Sequence, residues 1–116
     1  MSSLPAGQRK KVAILGGGVG SMVAAFELTQ EPQWEDKYEI TVYQLGWRLG
    51  GKGASGRELG QGERILEHGL HVWGGYYDNA FRVMRDCYDA LQRPHSVPIR
   101  SVEQAFLGVD QVYLSD

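Results

Sequence analysis

Two glycine clusters hold the residues whose types and spacing point to chemistry. The first, Gly16-Gly17-Gly18-Val19-Gly20-Ser21, fits G-x-G-x-x-G with Gly16 and Gly18 in the first two places and Ser21 in the third. In that pattern the first glycine turns the chain sharply out of a strand. The second lets a pyrophosphate reach the backbone, and the third keeps the following helix close to the sheet. The chemistry is anion binding, because the free N–H groups of a helix start and the helix dipole both favour a phosphate. Ser21 is small enough for the third place. The expected nucleotide contacts here are Gly16, Gly17, Gly18, Gly20 and Ser21.

Such a motif carries weight only when a strand precedes it, a helix follows and a second strand lies beyond. All three are legible. Residues 11–15 are a short apolar run bounded by glycine and predict a buried strand. Residues 21–31 contain Met22, Val23, Ala24, Ala25, Phe26 and Leu28 without glycine or proline, and predict a helix that stops before Pro32. This helix is nearly apolar all round at its start, as expected of one packed on a sheet. Residues 32–37 read as a polar loop. Residues 39–44, rich in β-branched and aromatic types, predict a second strand. Strand, helix, strand in this order implies a right-handed crossover between parallel strands. The fold class is therefore α/β, a Rossmann-like βαβ dinucleotide-binding unit. Residues 1–10 read as a disordered lead-in and residues 11–116 as one partial domain.

Gln44 stands at the end of the second strand, where such folds usually carry an acidic ribose anchor. A charged acceptor contributes about 1.5–3 kcal/mol and a neutral one about 0.5–1.5, so adenosine binding through Gln44 is expected to be weaker. The amide also lacks a carboxylate's repulsion toward a 2′-phosphate, so this position leaves NADP open. In the second cluster, Gly46-Trp47-Arg48-Leu49-Gly50-Gly51-Lys52 approaches the phosphate loop G-x-x-x-x-G-K-[ST]. That reading fails because Gly53 replaces the magnesium-binding hydroxyl and no helix pattern follows.

Downstream, residues 46–62 read as a glycine-rich loop and residues 64–67 as a short strand. Residues 78–91 predict a helix with Asp78 as N-cap, ended by Arg93 and Pro94. Tyr77, Phe81, Met84, Tyr88 and Leu91 fall on one stripe of it, read as core packing rather than a lipid groove. Ser101 to Gln104 has capping-box spacing and predicts a short helical turn. Residues 109–114 predict a last strand. No metal site is expected: His68 and His71 are two ligands where zinc needs at least three, and Cys87 and His95 lie far from them in sequence.

Residues 12–91 resemble the N-terminal region of FAD-dependent desaturases and amine oxidoreductases, above all the carotenoid and phytoene desaturase-like branch. The resemblance rests on the first glycine cluster, on Val42-Tyr43-Gln44, and on Arg48-Leu49-Gly50-Gly51-Lys52-Gly53-Ala54-Ser55. It continues through Glu67-His68-Gly69-Leu70-His71-Val72-Trp73 and Tyr77-Asp78-Asn79-Ala80-Phe81-Arg82-Val83-Met84. It implies FAD as cofactor, with Arg48 neutralising phosphate charge, Leu49, Gly50 and Gly51 lying along the cofactor, and Lys52 where the family often has arginine. It also implies that Gly69, Leu70 and His71 lie near the flavin ring. His71 is the one catalytic candidate, able to orient substrate or flavin; the alternative is a buried structural histidine. Trp47 either covers the cofactor or packs at the base of its loop.

Composition bounds the rest. Of sixteen glycines, four lie in positions 16–20 and ten between positions 46 and 75, which marks two loops and not low complexity. Twelve basic and fourteen acidic residues give a net charge of −2, with no broad basic footprint for nucleic acid. The single cysteine excludes an internal disulfide and fits a reducing, cytoplasmic setting. No apolar run approaches the ~20 residues of a membrane span. The family resemblance implies a hydrophobic small-molecule substrate of the long isoprenoid type, and contact of the whole enzyme with a membrane surface.

A domain with so few strands leaves faces and edges uncovered. The expectation is a piece completed by a second polypeptide or a C-terminal region: a processed fragment, a small subunit or a shortened chain. Its leading function is the FAD-binding N-terminal part of an oxidoreductase that removes hydride from a C–C or C–N bond. The rival readings are an NAD(P)-binding dehydrogenase fragment and a non-catalytic nucleotide-binding or assembly subunit.

Overall fold

A computed structural model of the chain describes residues 8–110. They fall into two compact units, one reaching to His71 and one starting at Val72.

The first unit opens with strand β1 (Lys10–Leu15), helix α1 (Val19–Thr29), the single helical turn α2 (Trp34–Lys37) and strand β2 (Tyr38–Tyr43). β1 and β2 pair in parallel, from Lys10 opposite Tyr38 to Leu15 opposite Tyr43. Parallel neighbours need a crossover, and α1 with α2 supplies it. The α/β class and the βαβ unit are as the sequence predicts. Val12 and Ile14 of β1 and Ile40 and Val42 of β2 are half-buried, while the residues between them are exposed. β1 is thus covered on one side only, in contrast to the buried strand expected from its apolar run. Leu15 is 80% exposed, because α1 is the only helix of this unit that packs on β1 among the described residues.

α1 begins two residues earlier than its apolar run suggests. Gly18, extended at φ −72° and ψ 172°, takes the N-cap place, and Val19 and Gly20 form the first turn. Glycine is a poor helix former, but the contacts of the loop outweigh that preference. The helix also ends earlier. The Thr29 hydroxyl donates to the Phe26 carbonyl at 2.7 Å, and Pro32 pushes the residue before it away from helix. α1 has no buried residue, although its composition suggests tight packing.

The expected loop at 32–37 contains α2. It forms because Glu31 gathers the segment: Lys37 Nζ pairs with its carboxylate at 3.2 Å and the Tyr38 hydroxyl donates to it at 3.1 Å. That hydrogen bond raises the Tyr38 pKa above its ordinary value.

The expected loop at 46–62 is also more structured than predicted. A 3₁₀ turn (Gly51–Gly53) leads to strand β3 (Gly56–Glu58), a second 3₁₀ turn (Leu59–Gln61) and strand β4 (Arg64–Leu66). β3 and β4 form an antiparallel hairpin, Gly56 opposite Leu66 and Glu58 opposite Arg64.

The second unit holds helix α3 (Asp78–Leu91) and the helical turn α4 (Val102–Ala105). Tyr77, not Asp78, is the N-cap; Asp78 sits inside the first turn, where its charge still suits the helix dipole. Phe81, Met84 and Tyr88 of the predicted stripe are half-buried, but Tyr77 and Leu91 are exposed. The buried residue of α3 is Val83, matched by Val102 of α4. Trp73, Phe81 and Phe106 meet with ring centroids 4.7–5.3 Å apart, in tilted and edge-on arrangements that suit aromatic quadrupoles. This half-buried cluster takes in Phe81 of the stripe.

The capping box at Ser101 is incomplete. Gln104 Oε1 accepts from the Arg100 N–H at 2.8 Å instead of from Ser101, and the Ser101 side chain does not cap the turn. Residues 111–114 of the predicted last strand lie outside the described residues, and Val109 and Asp110 are not in a strand. Among the described residues no helix is long and apolar enough to cross a membrane.

Candidate functional site

The site is built where β1 ends. At Leu15 the regular ladder stops, yet the two chains stay joined. The Gly16 N–H donates to the Tyr43 carbonyl at 2.7 Å, and the Gly50 N–H donates to the Gly17 carbonyl, also at 2.7 Å. A parallel bridge joins Gly18 to Gly50. The two glycine clusters, far apart in sequence, are therefore stitched backbone to backbone.

Their glycines allow this in different ways. Gly16 (φ +101°) and Gly50 (φ +106°) lie where side chains are strained. Gly17 is buried, and a Cβ there would meet the tips of two side chains, Leu49 Cδ2 at 2.6 Å and Gln44 Oε1 at 2.7 Å, which would have to move aside. A Cβ on Gly51 would come within 3.1 Å of Gly18 Cα, so the second loop lies directly on the start of α1.

Gly18 and Gly20 differ from these. A Cβ on either would meet nothing within 4 Å, so the backbone at the helix start borders open space. No side chain caps α1. The first N–H groups of a helix lack partners within the helix, and such groups suit an anion. Open backbone beside uncapped donors is the chemistry a pyrophosphate needs, so these residues fit a dinucleotide.

The side chains expected around this point are placed less simply. Gln44 is turned onto the loops: Oε1 accepts from the Gly17 N–H at 2.7 Å and Nε2 donates to the Arg48 carbonyl at 3.2 Å. Arg48 is likewise engaged. Its guanidinium donates to the Ala54 carbonyl at 3.0 Å and to the Ser55 carbonyl, closing the loop that runs into β3. It also lies 5.3 Å from the centre of the Trp47 ring. Trp47 is 90% exposed, so it does not pack at the loop base. Lys52 is exposed within the 3₁₀ turn that lies on α1.

His71 is exposed, which removes the buried-structural alternative; Nε2 lies 3.4 Å from the Glu67 carboxylate. Leu70 is 91% exposed, and Gly69 has open space around it. The histidine that reaches the second glycine loop is His68. It lines a cleft of about 320 Å³ with Trp47, Arg48, Gly56, Arg57, Leu66 and Glu67. It also borders a second hollow beside Gln44, Gly51 and Lys52. Sequence reasoning weighed His68 only as a metal ligand. The missed signal is the hairpin, with turn residues at 60–63 between two short segments, which carries His68 back to Arg48. Among the described residues no three histidine, cysteine or acidic side chains gather as a metal site.

Comparison with known proteins agrees with this geometry. The chain is similar to zeta-carotene desaturases. It is 35% identical to the Capsicum annuum enzyme over 79 residues, covering 68% of this chain and 12% of that protein. It is 40% identical to the Zea mays enzyme over 79 residues, covering 68% and 13%. The Synechocystis enzyme is 38% identical over 74 residues, covering 64% and 14%. The chain thus matches only about an eighth of the length of these relatives. No solved structure matches it. The family model for the NAD(P)-binding Rossmann-like domain matches residues 14–87, which span both glycine loops, the hairpin and most of α3. The chain belongs to that family of NAD(P)-binding Rossmann-like domains.

Proposed function

We propose that this domain binds FAD as part of a flavin-dependent oxidoreductase of the carotenoid desaturase type. The observation that carries the reading is the open, uncapped start of α1 at Gly18, with the second glycine loop stitched against it. Gly16 and Gly17, whose own N–H groups are taken up by Tyr43 and Gln44, shape the turn, and the helix start at Gly18, Gly20 and Ser21 presents backbone N–H groups to the pyrophosphate. Gly50 and Gly51 bring the second loop close. Lys52 supplies positive charge near the phosphates, since the Arg48 guanidinium is held by the Ala54 and Ser55 carbonyls. Arg48 and Leu49 act by shaping that loop. Gly69, Leu70 and His71 follow the hairpin toward the reactive end of the cofactor, with His71 orienting substrate or flavin through its ring N–H.

Bound FAD supplies the acceptor for hydride removed from a C–C or C–N bond, chemistry that belongs to the cofactor and not to the protein. The similarity to zeta-carotene desaturases favours a C–C bond and a hydrophobic, carotene-like substrate. A second polypeptide or a further region of the chain completes the cofactor and substrate sites. The single cysteine suits a reducing, cytoplasmic compartment.

A second reading, an NAD(P)-binding domain, draws on the description of the matching family and on the absence of a carboxylate at position 44. Purified full-length protein separates the two. The expected result is flavin absorbance and FAD binding that excess NADP does not displace. Binding of NADP with no affinity for FAD overturns the FAD reading. Binding of either without turnover of a polyene or amine substrate favours a non-catalytic subunit.

A further inference from the structure

The end of β2 carries more than a place in a motif. Gln44 lies where the strand gives way to the second glycine loop, and its side chain reaches 27 residues back to Gly17. The backbone ladder explains why. Gly16 donates to Tyr43, the next regular rung is missing because the chain loops out through residues 45–49, and pairing resumes between Gly17 and Gly50. Gly17 is buried, so its N–H needs a partner within the protein. Gln44 Oε1 provides it at 2.7 Å and fills the missing rung. At the other end of the same amide, Nε2 holds the Arg48 carbonyl at 3.2 Å. The surroundings are shaped to this amide: a Cβ on Gly17 would strike Oε1, and a Cβ on Gly46 would come within 3.0 Å of Nε2.

The chemistry requires an amide. Glutamine offers an acceptor and a donor together, whereas an ionised glutamate offers acceptors only and would set negative charge against the Arg48 carbonyl. We propose that Gln44 is a positioning residue that braces the two glycine loops against each other, and that it is not an acceptor for the adenosine ribose. The second half of this proposal rests on the dinucleotide reading above; the first does not. One consequence is that the adenosine hydroxyls gain nothing from the side chain at the end of β2.

The test uses the full-length chain and two readouts. The first is amide hydrogen exchange without nucleotide. In Gln44→Leu, Gly17 and Gly50 are expected to lose protection by about fivefold, the loss of one hydrogen bond of ordinary net strength, while the amides of β1 keep theirs. In Gln44→Glu, Gly17 keeps an acceptor, but protection of Gly50 is expected to be low at neutral pH, because the ionised carboxylate has no donor for the Arg48 carbonyl at the head of its loop. That protection should recover as the pH falls toward the ordinary glutamate range of about 4.3, because a protonated carboxyl again offers one donor and one acceptor. A side chain that merely filled space would show no such recovery, and that result overturns the brace. So does unchanged protection in both variants. Should Gln44→Leu fail to fold, the pH profile of Gln44→Glu decides alone.

The second readout is affinity for FAD and for an FAD analogue whose adenosine lacks its 2′- and 3′-hydroxyls. Gln44→Leu is expected to weaken both by the same factor. An effect on FAD that vanishes with the analogue makes Gln44 a ribose acceptor and overturns the proposal. If the unaltered protein binds no FAD, the FAD reading fails, and the exchange data still decide the brace.

Discussion

Adding one methyl group at Gly17 and one at Gly18 probes two different properties of adjacent residues. At Gly17 the new Cβ would collide with the braced amide of Gln44 and with Leu49. Gly17→Ala is expected to push those two side-chain ends aside and to cost about 0.5–1.5 kcal/mol in denaturant unfolding, the loss of the Gln44 hydrogen bond. At Gly18 nothing stands within 4 Å and the backbone is extended at a negative φ. Gly18→Ala is expected to leave stability within about 0.5 kcal/mol while weakening FAD binding, as read by flavin fluorescence titration. Loss of stability without loss of FAD affinity in Gly18→Ala would contradict the proposed site. Arg48 gives a third residue-level expectation. Two of its nitrogens hold two successive carbonyls, a geometry that a lysine cannot reproduce. Arg48→Lys is expected to destabilise the protein by about 0.5–1.5 kcal/mol, one net hydrogen bond, and to speed proteolytic cleavage between β2 and β3.

Among the secondary-structure elements, those with a repeated pattern were the legible ones. β1, β2 and α3 follow from apolar runs and an apolar stripe, and they stand within a residue or two of expectation. The short strand expected at 64–67 stands as β4, but α2 and β3 were not legible, because each depends on a side chain reaching across sequence. Glu31 gathers α2 through Lys37 and Tyr38, and Arg48 fixes the approach to β3. The capping-box spacing correctly marked α4, but the reciprocal contacts are replaced by a Gln104–Arg100 bond. Near the same turn Glu103 is held below the usual carboxylate range, first by its own backbone N–H and then by the Ser101 hydroxyl. A depressed carboxyl contributes stability that is fully present above its unfolded pKa and is lost as pH falls through the folded value. Carboxyl titration by NMR should therefore show Glu103 titrating below the other exposed glutamates. Glu103→Gln should remove that part of the acid dependence of α4; a titration at the ordinary value contradicts it.

The domain leaves much of its apolar surface uncovered. Val83 and Val102 are its buried hydrophobic residues among those described, while Leu15, Leu45, Leu70 and Leu107 are each at least 80% exposed. Parallel strands are stable chiefly when both faces are covered, and short hairpins are marginal alone. A polypeptide of residues 1–116 by itself is expected to melt without a cooperative transition and to bind a hydrophobic dye. A sharp, two-state melt would show that this surface needs no cover. From the order of residues alone came the parallel βαβ unit, the two glycine loops and a glycine at the turn into α1, because these depend on local spacing and on glycine's missing side chain. What only the folded chain decided was the use of the polar side chains between the loops. Gln44 and Arg48 look like ligands by position, but the backbone groups they meet come from other parts of the chain. The partner of a polar side chain is set by what folding brings within about 3 Å, and no spacing in the sequence specifies that.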